Sequence, residues 1–346
     1  MKIAIITDQH FGARKNSKLF HDHFLNFYNN IFFPKLEEES ITTIVDMGDT
    51  FDSRKGIDFS ALAWAKSHYY DRLHDMGIKV HTIVGNHTAY YKNTNQINAV
   101  DLLLREYSNV KIYSDPTEIK LGNLNVLLLP WINDENESKT FEFIKRTNCS
   151  CVMGHLEFAG FRVNKQIVME HGLEGKSFEK FKRVYSGHYH TRSTDGRIYY
   201  LGNPYEIYWT DVNDCRGFTI LDTETLDHYH VDNPYNIFEI INYEDNEIKE
   251  FDFSKYENKI VKVIVKNKSS QLDFEKFLDK LYSSNVAEVK IVENFDISDD
   301  QDIQEIEFED TLSILNRYIQ ESEIQMDKKR LKGIIKEIYK ESCELV

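Results

Sequence analysis

At roughly 150 residues per domain, a chain of 346 residues is too long for one ordinary core and suggests two. Its 41% hydrophobic, 29% charged and 13% aromatic composition excludes a wholly disordered chain. Forty-two basic against fifty-seven acidic residues leave a formal charge of −15, which excludes a general basic surface as the means of holding nucleic acid. Along the first two hundred residues, short β-branched runs alternate with helical patterns, as in a sheet wrapped by helices. Strands are predicted at Lys2–Thr7, Thr42–Met47, Lys79–Val84, Leu124–Leu129, Ser150–Met153 and Arg183–Tyr185. Asn16–Glu39 and Phe59–Met76 carry apolar residues at three and four spacing and are the crossover helices. Arg197–Tyr229 reads as further strands, with turns at Gly202-Asn203-Pro204 and Asp214–Gly217.

After Tyr235 a small β-α-β block follows: a strand at Ile260–Val265, a helix at Phe274–Tyr282 and a strand at Val286–Val292. Glu293–Asp310 holds nine acids and no base, the mark of a solvated linker, so the rest of the chain carries only −6. Two short amphipathic helices close the chain, one with Leu312, Leu315, Tyr318 and Ile319, the other with Leu331, Ile334, Ile335, Ile338 and Tyr339. Asp327 is placed to cap the second. A helical pair on a tether has little of its own to cover it, which suggests docking on another chain; folding back on the cap is the alternative. The division is therefore 1–235, 236–293, 294–310 and 311–346. No apolar run approaches the roughly 18 residues of a membrane span, and Asp8 breaks the opening stretch before a signal-peptide core could form. The chain reads as cytoplasmic, with no membrane role. Of the cysteines Cys149, Cys151, Cys215 and Cys343, the first two have the i, i+2 spacing of one strand face and read as reduced, buried thiols, no second close pair being present to complete a zinc site.

Five of the six strands run into a residue of metal-ligand type: Asp8, Asp49, Asn86, His155 and His188. Open α/β sheets place their sites along that edge. Four of these follow a glycine directly (Gly48, Gly85, Gly154, Gly187), as needed where the chain leaves a strand sharply beside an ion or phosphate. The blocks read Asp8-Gln9-His10, Gly48-Asp49-Thr50-Phe51-Asp52, Gly85-Asn86-His87, Gly154-His155 and Gly187-His188-Tyr189-His190. Phosphodiester hydrolysis needs a nucleophile at neutral pH and positive charge on the phosphoryl oxygens, and two divalent ions supply both. Imidazoles and an amide fill coordination positions without repelling an anionic substrate. Mixed nitrogen and oxygen donors suit manganese, iron or zinc better than magnesium or calcium.

These five blocks, in this order, resemble the calcineurin-like metallophosphoesterases. More narrowly, Gly48–Lys55, His81–His87, Ser186–Thr191, Gly202-Asn203-Pro204 and Arg216-Gly217-Phe218 resemble the SbcD-type nuclease subunits of double-strand-break repair, above all their tailed-phage recombination relatives. The resemblance covers about the first 230 residues. It implies an α/β fold with a central β-sandwich flanked by helices, a small α/β capping domain and a C-terminal helical pair. It implies two divalent metal ions, here taken as manganese: one held by Asp8, His10, Asp49 and His190, the other by Asp49, Asn86, His155 and His188, with Asp49 shared. It places His87 on the scissile phosphate as general acid and Asp52 as an orienting group. The implied partners are DNA, an SbcC-type ABC ATPase whose coiled coil the terminal helices grip, and a second copy in a homodimer; a phage-encoded chain would work in the host cytoplasm. The implied activities are those of an exonuclease and single-strand endonuclease. Thr88 stands where most of the family has an acid that bonds the catalytic histidine, which suggests weaker intrinsic activity with metal binding intact.

Single motifs of this kind are weak. His228-Tyr229-His230 has the right spacing but no preceding glycine, and His21 and His23 fall on a helix where they read as surface. His68, His74, His81 and His171 have no assignment, and the 20 Tyr and 22 Phe read as core. Two other functions fit: a two-metal phosphoesterase acting on phosphoproteins or small phosphoesters, since one scaffold hosts many substrates, and a non-catalytic DNA-binding scaffold. The cap and tail argue against the first. An intact ligand set argues against the second, because unused like charges cost stability.

Overall fold

Runs such as Ile3-Ala4-Ile5-Ile6 and Val126-Leu127-Leu128-Leu129 are apolar on both faces, the pattern of strands buried from two sides. The computed structural model describes residues 1–165, 167–244 and 251–293, together with Arg330, Leu331 and Ile334. Such strands build two six-stranded sheets. The first runs in the order His228–Asp232, Gly217–Asp222, Lys2–Ile6, Thr43–Asp46, Lys79–Ile83, Val110–Tyr113, the last four parallel and the first two antiparallel. The second runs Ser193–Thr194, Ile198–Tyr200, Arg183–Ser186, Cys151–Gly154, Leu124–Leu129, Thr117–Leu121, with a parallel centre and antiparallel edges.

Strand alternation divides the apolar side chains among three layers. Ile3, Ile5, Val45 and Ile83 meet Val126, Leu128, Met153 and Tyr185 between the sheets, which makes the sandwich. Ala4, Ile6, Ile44 and Val80 face the other way, onto Phe20, Phe24, Phe27, Tyr28, Phe32 and Tyr69 of the two crossover helices. Leu127, Leu129, Val152 and Val184 cover the far side with Ile144 and Phe178. The fold is thus the expected α/β sandwich flanked by helices.

The first crossover runs over Lys18–Phe27, Tyr28–Phe32 and Phe33–Glu38. Its middle turn is wide, with the Phe33 N–H reaching the Tyr28 carbonyl just before Pro34, which has no N–H to give. The second, Phe59–Asp75, has a similar wide turn at Lys66–Tyr70 and starts at Asp58, whose carboxylate accepts from Ser60 N at 2.7 Å.

Several sequence expectations need correction. The strands Val110–Tyr113 and Thr117–Leu121 are absent from the sequence reading, being short and half polar. Cys149 and Cys151 are both buried free thiols, but they belong to different apolar clusters, because the strand begins only at Cys151 and strand alternation does not reach back to Cys149. His21 and His23 are not on the surface: they are 7% and 6% exposed. His21 stacks on Trp64 with ring centroids 5.0 Å apart, and His23 lies against Phe24 and Tyr205.

Beyond Asn236, three parallel strands, Phe238–Glu244, Ile260–Asn267 and Glu288–Glu293, pack with the helix Gln271–Ser283 around Tyr243, Val261, Val263, Phe274, Phe277 and Leu281. The strand Phe238–Glu244 adds to the β-α-β block read from sequence. Its entry is fixed by the buried Glu206 carboxylate, which accepts from Ile237 N at 2.8 Å and Phe238 N at 2.9 Å. Met1–Glu293 pack as one compact unit. The acidic stretch 294–310 lies outside the described residues, as does the proposed helical pair 311–346 except for Arg330, Leu331 and Ile334, which are helical. Among the described residues no helix is long and apolar enough to cross a membrane.

Candidate metal centre

Both sheets of the sandwich end their parallel strands at one mouth. Asp8 and His10 follow Lys2–Ile6, Asp49 and Asp52 follow Thr43–Asp46, and Asn86 and His87 follow Lys79–Ile83; His155 follows Cys151–Gly154, and His188 and His190 follow Arg183–Ser186. All nine candidate residues therefore leave the C-terminal ends of five strands, three in one sheet and two in the other.

The backbone there is unusual. Asp8 (φ 53°), His10 (φ 46°), Asp49 (φ 52°) and His188 (φ 83°) all have left-handed conformations, four of twelve such non-glycine residues among those described. Strain of this sort persists where surroundings enforce it and clusters at functional sites. Gly85 and Gly187 explain the tight convergence: a Cβ on Gly85 would strike the Asp49 carboxylate, and one on Gly187 would strike the Thr7 hydroxyl.

The side chains form three groups, Asp8 with His10 and His190, His10 with Asp52 and His87, and Asp49 with His155 and His188, the first two sharing His10 and the donor atoms lying within 4.8 Å in each. His10 Nδ1 sits 3.0 Å from Asp52 Oδ1, and His10 Nε2 sits 3.1 Å from His190 Nε2. The Asn86 amide is placed with Oδ1 toward two rings, 2.8 Å from His155 Nε2 and 2.9 Å from His188 Nδ1. His155 Nε2 also lies 3.2 Å from Asp49 Oδ2, while His155 Nδ1 meets the Met47 carbonyl at 2.9 Å. A neutral His155 that donates from Nδ1 to Met47 turns a lone pair toward two more oxygen lone pairs. With the amide in this orientation, a cation, whether a proton or a metal ion, relieves the arrangement.

Electrostatics agree. Burial pushes the Asp8 carboxyl up, opposed by His155 and helped by the Asp49 charge. Burial acts on Asp49 in the same direction, but the His155 and His87 charges outweigh it and hold that carboxyl well below its usual range. His155 is raised to about 9, burial being overcome by Asp49, whereas burial and the neighbouring His10 and Arg216 hold His190 well below the ordinary imidazole value. The donor set, buried and rich in opposed lone pairs, fits divalent metal ions.

Residues 1–192 match the family described as calcineurin-like phosphoesterase. A relative from Enterobacteria phage T4, "Exonuclease subunit 1", is 35% identical over 285 residues, covering 82% of each chain. The chain belongs to the calcineurin-like phosphoesterase family. Among solved structures, this phosphoesterase is similar to an archaeal phosphodiesterase (15% identity over 67% of this chain and 100% of that one, TM-score 0.36) and to a dimetal phosphatase from Danio rerio (13%, 67% and 98%, TM-score 0.39).

Three features of the phosphoesterase's site have no role assigned from the sequence, although Arg216 stands in one of the motifs quoted above. Asp46 is wholly buried and gathers Gln9 Nε2 at 3.1 Å, Thr50 Oγ1 at 2.8 Å and Gly48 N at 3.2 Å, tying two ligand-bearing turns together. Glu157 Oε2 stands 3.6 Å from His188 Nε2; an acid two residues beyond His155 was the available signal. Arg216 donates to the His190 carbonyl and to Asn203 Oδ1, and pairs with Asp211 at 3.2 Å and Asp214 at 2.9 Å. That network gives the Gly202-Asn203-Pro204 and Arg216-Gly217 motifs a structural purpose, holding the last histidine.

Thr88 also differs from expectation. Its buried hydroxyl accepts from Gly85 N and donates to Gly85 O, both at 3.0 Å, closing the turn. His87 Nδ1 instead meets the Asp52 carbonyl at 2.8 Å, so a backbone oxygen supplies the orienting acceptor that an acid was expected to provide.

Proposed function

We propose that this phosphoesterase is a manganese-dependent DNA nuclease, an exonuclease and single-strand endonuclease. On this reading it is the hydrolytic subunit of a complex with an SbcC-type ABC ATPase and processes DNA ends in recombination, repair and replication. The observation that carries the hydrolytic part is the meeting of His155 Nε2, Asn86 Oδ1 and Asp49 Oδ2, three lone-pair atoms set to share one cation. The DNA part is supported by the relative whose name is exonuclease subunit 1.

Asp8, His10, Asp49 and His190 would hold one ion, and Asp49, Asn86, His155 and His188 the other. When bound, a pair of divalent ions acidifies a water and neutralises the phosphoryl oxygens. The protein's own contributions follow from its hydrogen bonds. Asp52 Oδ1, 3.0 Å from His10 Nδ1, would draw the ring proton to Nδ1 by its charge and leave Nε2 as a ligand. His87, its Nδ1 spent on the Asp52 carbonyl, has Nε2 left to carry a proton to the leaving oxygen. Residues 236–293 would cap the site, and 311–346, joined through 294–310, would grip the ATPase coiled coil; homodimer formation and a cytoplasmic setting complete the reading. An acidic chain with net charge −15 attracts DNA poorly alone, which is the reason to assign DNA presentation to a partner.

The test sets a labelled oligonucleotide beside a chromogenic phosphomonoester at saturating manganese. Digestion of the oligonucleotide with little turnover of the monoester is expected. The reverse preference, or no digestion of DNA with or without the ATPase, would overturn the proposal.

A further inference from the structure

Away from the sandwich mouth, the antiparallel pair Gly217–Asp222 and His228–Asp232 gathers a second set of unlike donors. Because Gly217 is in register with Asp232, the chain just before one strand comes level with the end of the other. Cys215 Sγ thereby reaches Asp232 Oδ1 at 2.9 Å, and His230 Nε2 lies 3.8 Å from the same oxygen. All three donor atoms fall within 4.8 Å of one another.

The histidine points to a ligand. Its side chain is only 5% exposed, its Nδ1 has the Thr219 hydroxyl at 3.4 Å, and its Nε2 is buried without a hydrogen-bond partner. A buried ring nitrogen left unpaired costs stability, so something ordinarily satisfies it. Burial, with the nearby Arg192 charge, lowers this imidazole to about 4, so it is neutral, the ligating form. Cys215 and Asp232 are exposed and free to adjust. Tetrahedral zinc, with sulfur at about 2.3 Å and nitrogen or oxygen at about 2.0 Å, sets such donors roughly 3.3–3.5 Å apart, so a shift of about 1 Å at the exposed pair suffices.

We propose that Cys215, His230 and Asp232 bind a zinc ion, at a site distinct from the metal centre of the sandwich mouth, with water in the fourth position. A thiolate, an imidazole and one carboxylate form a borderline-soft set suited to zinc, and the two anions balance the ion's charge. Binding forms the sulfur–zinc bond and releases the thiol proton to solvent. Arg192 Nη1, 3.5 Å from Cys215 Sγ, favours the thiolate, while partial desolvation of the sulfur and the Asp232 carboxylate hold the thiol up until the ion displaces the proton. The site adjoins Arg216, so an occupied site stiffens the segment that holds the His190 carbonyl.

Cobalt(II) is the probe, because a thiolate-to-cobalt charge-transfer band in the near ultraviolet reports sulfur ligation and the mouth cluster has no sulfur ligand. Titrating chelator-stripped full-length protein should produce the band, and zinc should remove it by competition. The band should vanish in Cys215→Ser, persist in Cys343→Ser, and need about tenfold more cobalt in Asp232→Asn. Absence of the band from the unmutated protein, or its survival in Cys215→Ser, would overturn the proposal. Neither result bears on whether the mouth hydrolyses DNA.

Discussion

His155 Nε2 and Asn86 Oδ1 stand 2.8 Å apart, although the other ring nitrogen of His155 is already committed to the Met47 carbonyl. With Asp49 Oδ2 beside them, the metal-free protein stabilises this corner by keeping a proton on the ring. Manganese should therefore stabilise the fold, by about 2.7 kcal/mol at a hundredfold excess over its dissociation constant. Asp49→Asn should abolish that stabilisation and reduce oligonucleotide hydrolysis by more than about 100-fold, since even outer partners of a metal ligand cost about 10–100-fold. Thermal unfolding with and without manganese measures the first effect and initial rates the second. An undiminished thermal shift in Asp49→Asn would remove Asp49 from the ligand set.

Thr88 closes the Gly85 turn, and His87 already has the Asp52 carbonyl, so restoring the family's acid brings little. Thr88→Asp should change turnover at saturating manganese by less than about threefold. It should also cost about 1–3 kcal/mol, because a carboxylate replaces a buried hydroxyl that satisfies two backbone groups. Steady-state rates and urea unfolding provide the measurements, and a large gain in rate would restore the missing acid as the cause of weak activity.

The candidate site was legible in the sequence because each ligand is stamped by its context: Asp49 and His188 come after a strand and directly after a glycine, and those features are local. Asp211 and Asp46 were not, nor was the role of Arg216 within its motif, since a charge buried in a polar network reads in sequence like any exposed charge. His21 and His23 failed for a related reason. Helical periodicity predicts one buried face, but this helix is covered on one side by Trp64 and on another by Tyr205, so residues two apart are both buried. The strand Phe238–Glu244 was hidden by its mixed polarity, and its backbone is anchored by Glu206, thirty-one residues upstream of Ile237.

Burial at His23 gives a signed pH dependence. Its folded value is lowered to about 3, chiefly by burial and secondarily by Lys259, against about 6.5 when unfolded. Below pH 6.5 the unfolded chain takes up a proton that the folded one refuses, so stability present above about pH 6.5 is lost as the pH falls toward 3. One such group costs about 2 kcal/mol at pH 5. Urea unfolding at pH 7 and pH 5 should show His23→Leu losing about 2 kcal/mol less than the unmodified protein over that interval. An identical loss in both would place the acid sensitivity elsewhere.

Arg216 is the cation of a buried knot with Asp211, Asp214 and Asn203, its side chain and that of Asp211 each 2% exposed. Replacing it with methionine leaves Asp211 charged and buried without its cation, and removes the charged one of the two donors to the His190 carbonyl, the other being Asn203 N. Breaking a buried pair in this way costs about 3–5 kcal/mol, well above an exposed salt bridge. Arg216→Met should therefore lower urea-unfolding stability by that amount and weaken manganese binding through the displaced His190. Adding Asp211→Asn should recover part of the stability, because the uncompensated charge is gone, but not the metal affinity, because the His190 carbonyl still lacks the Arg216 guanidinium and keeps only the Asn203 N–H at 3.3 Å. Recovery of both together would show that Arg216 acts on His190 only through overall stability.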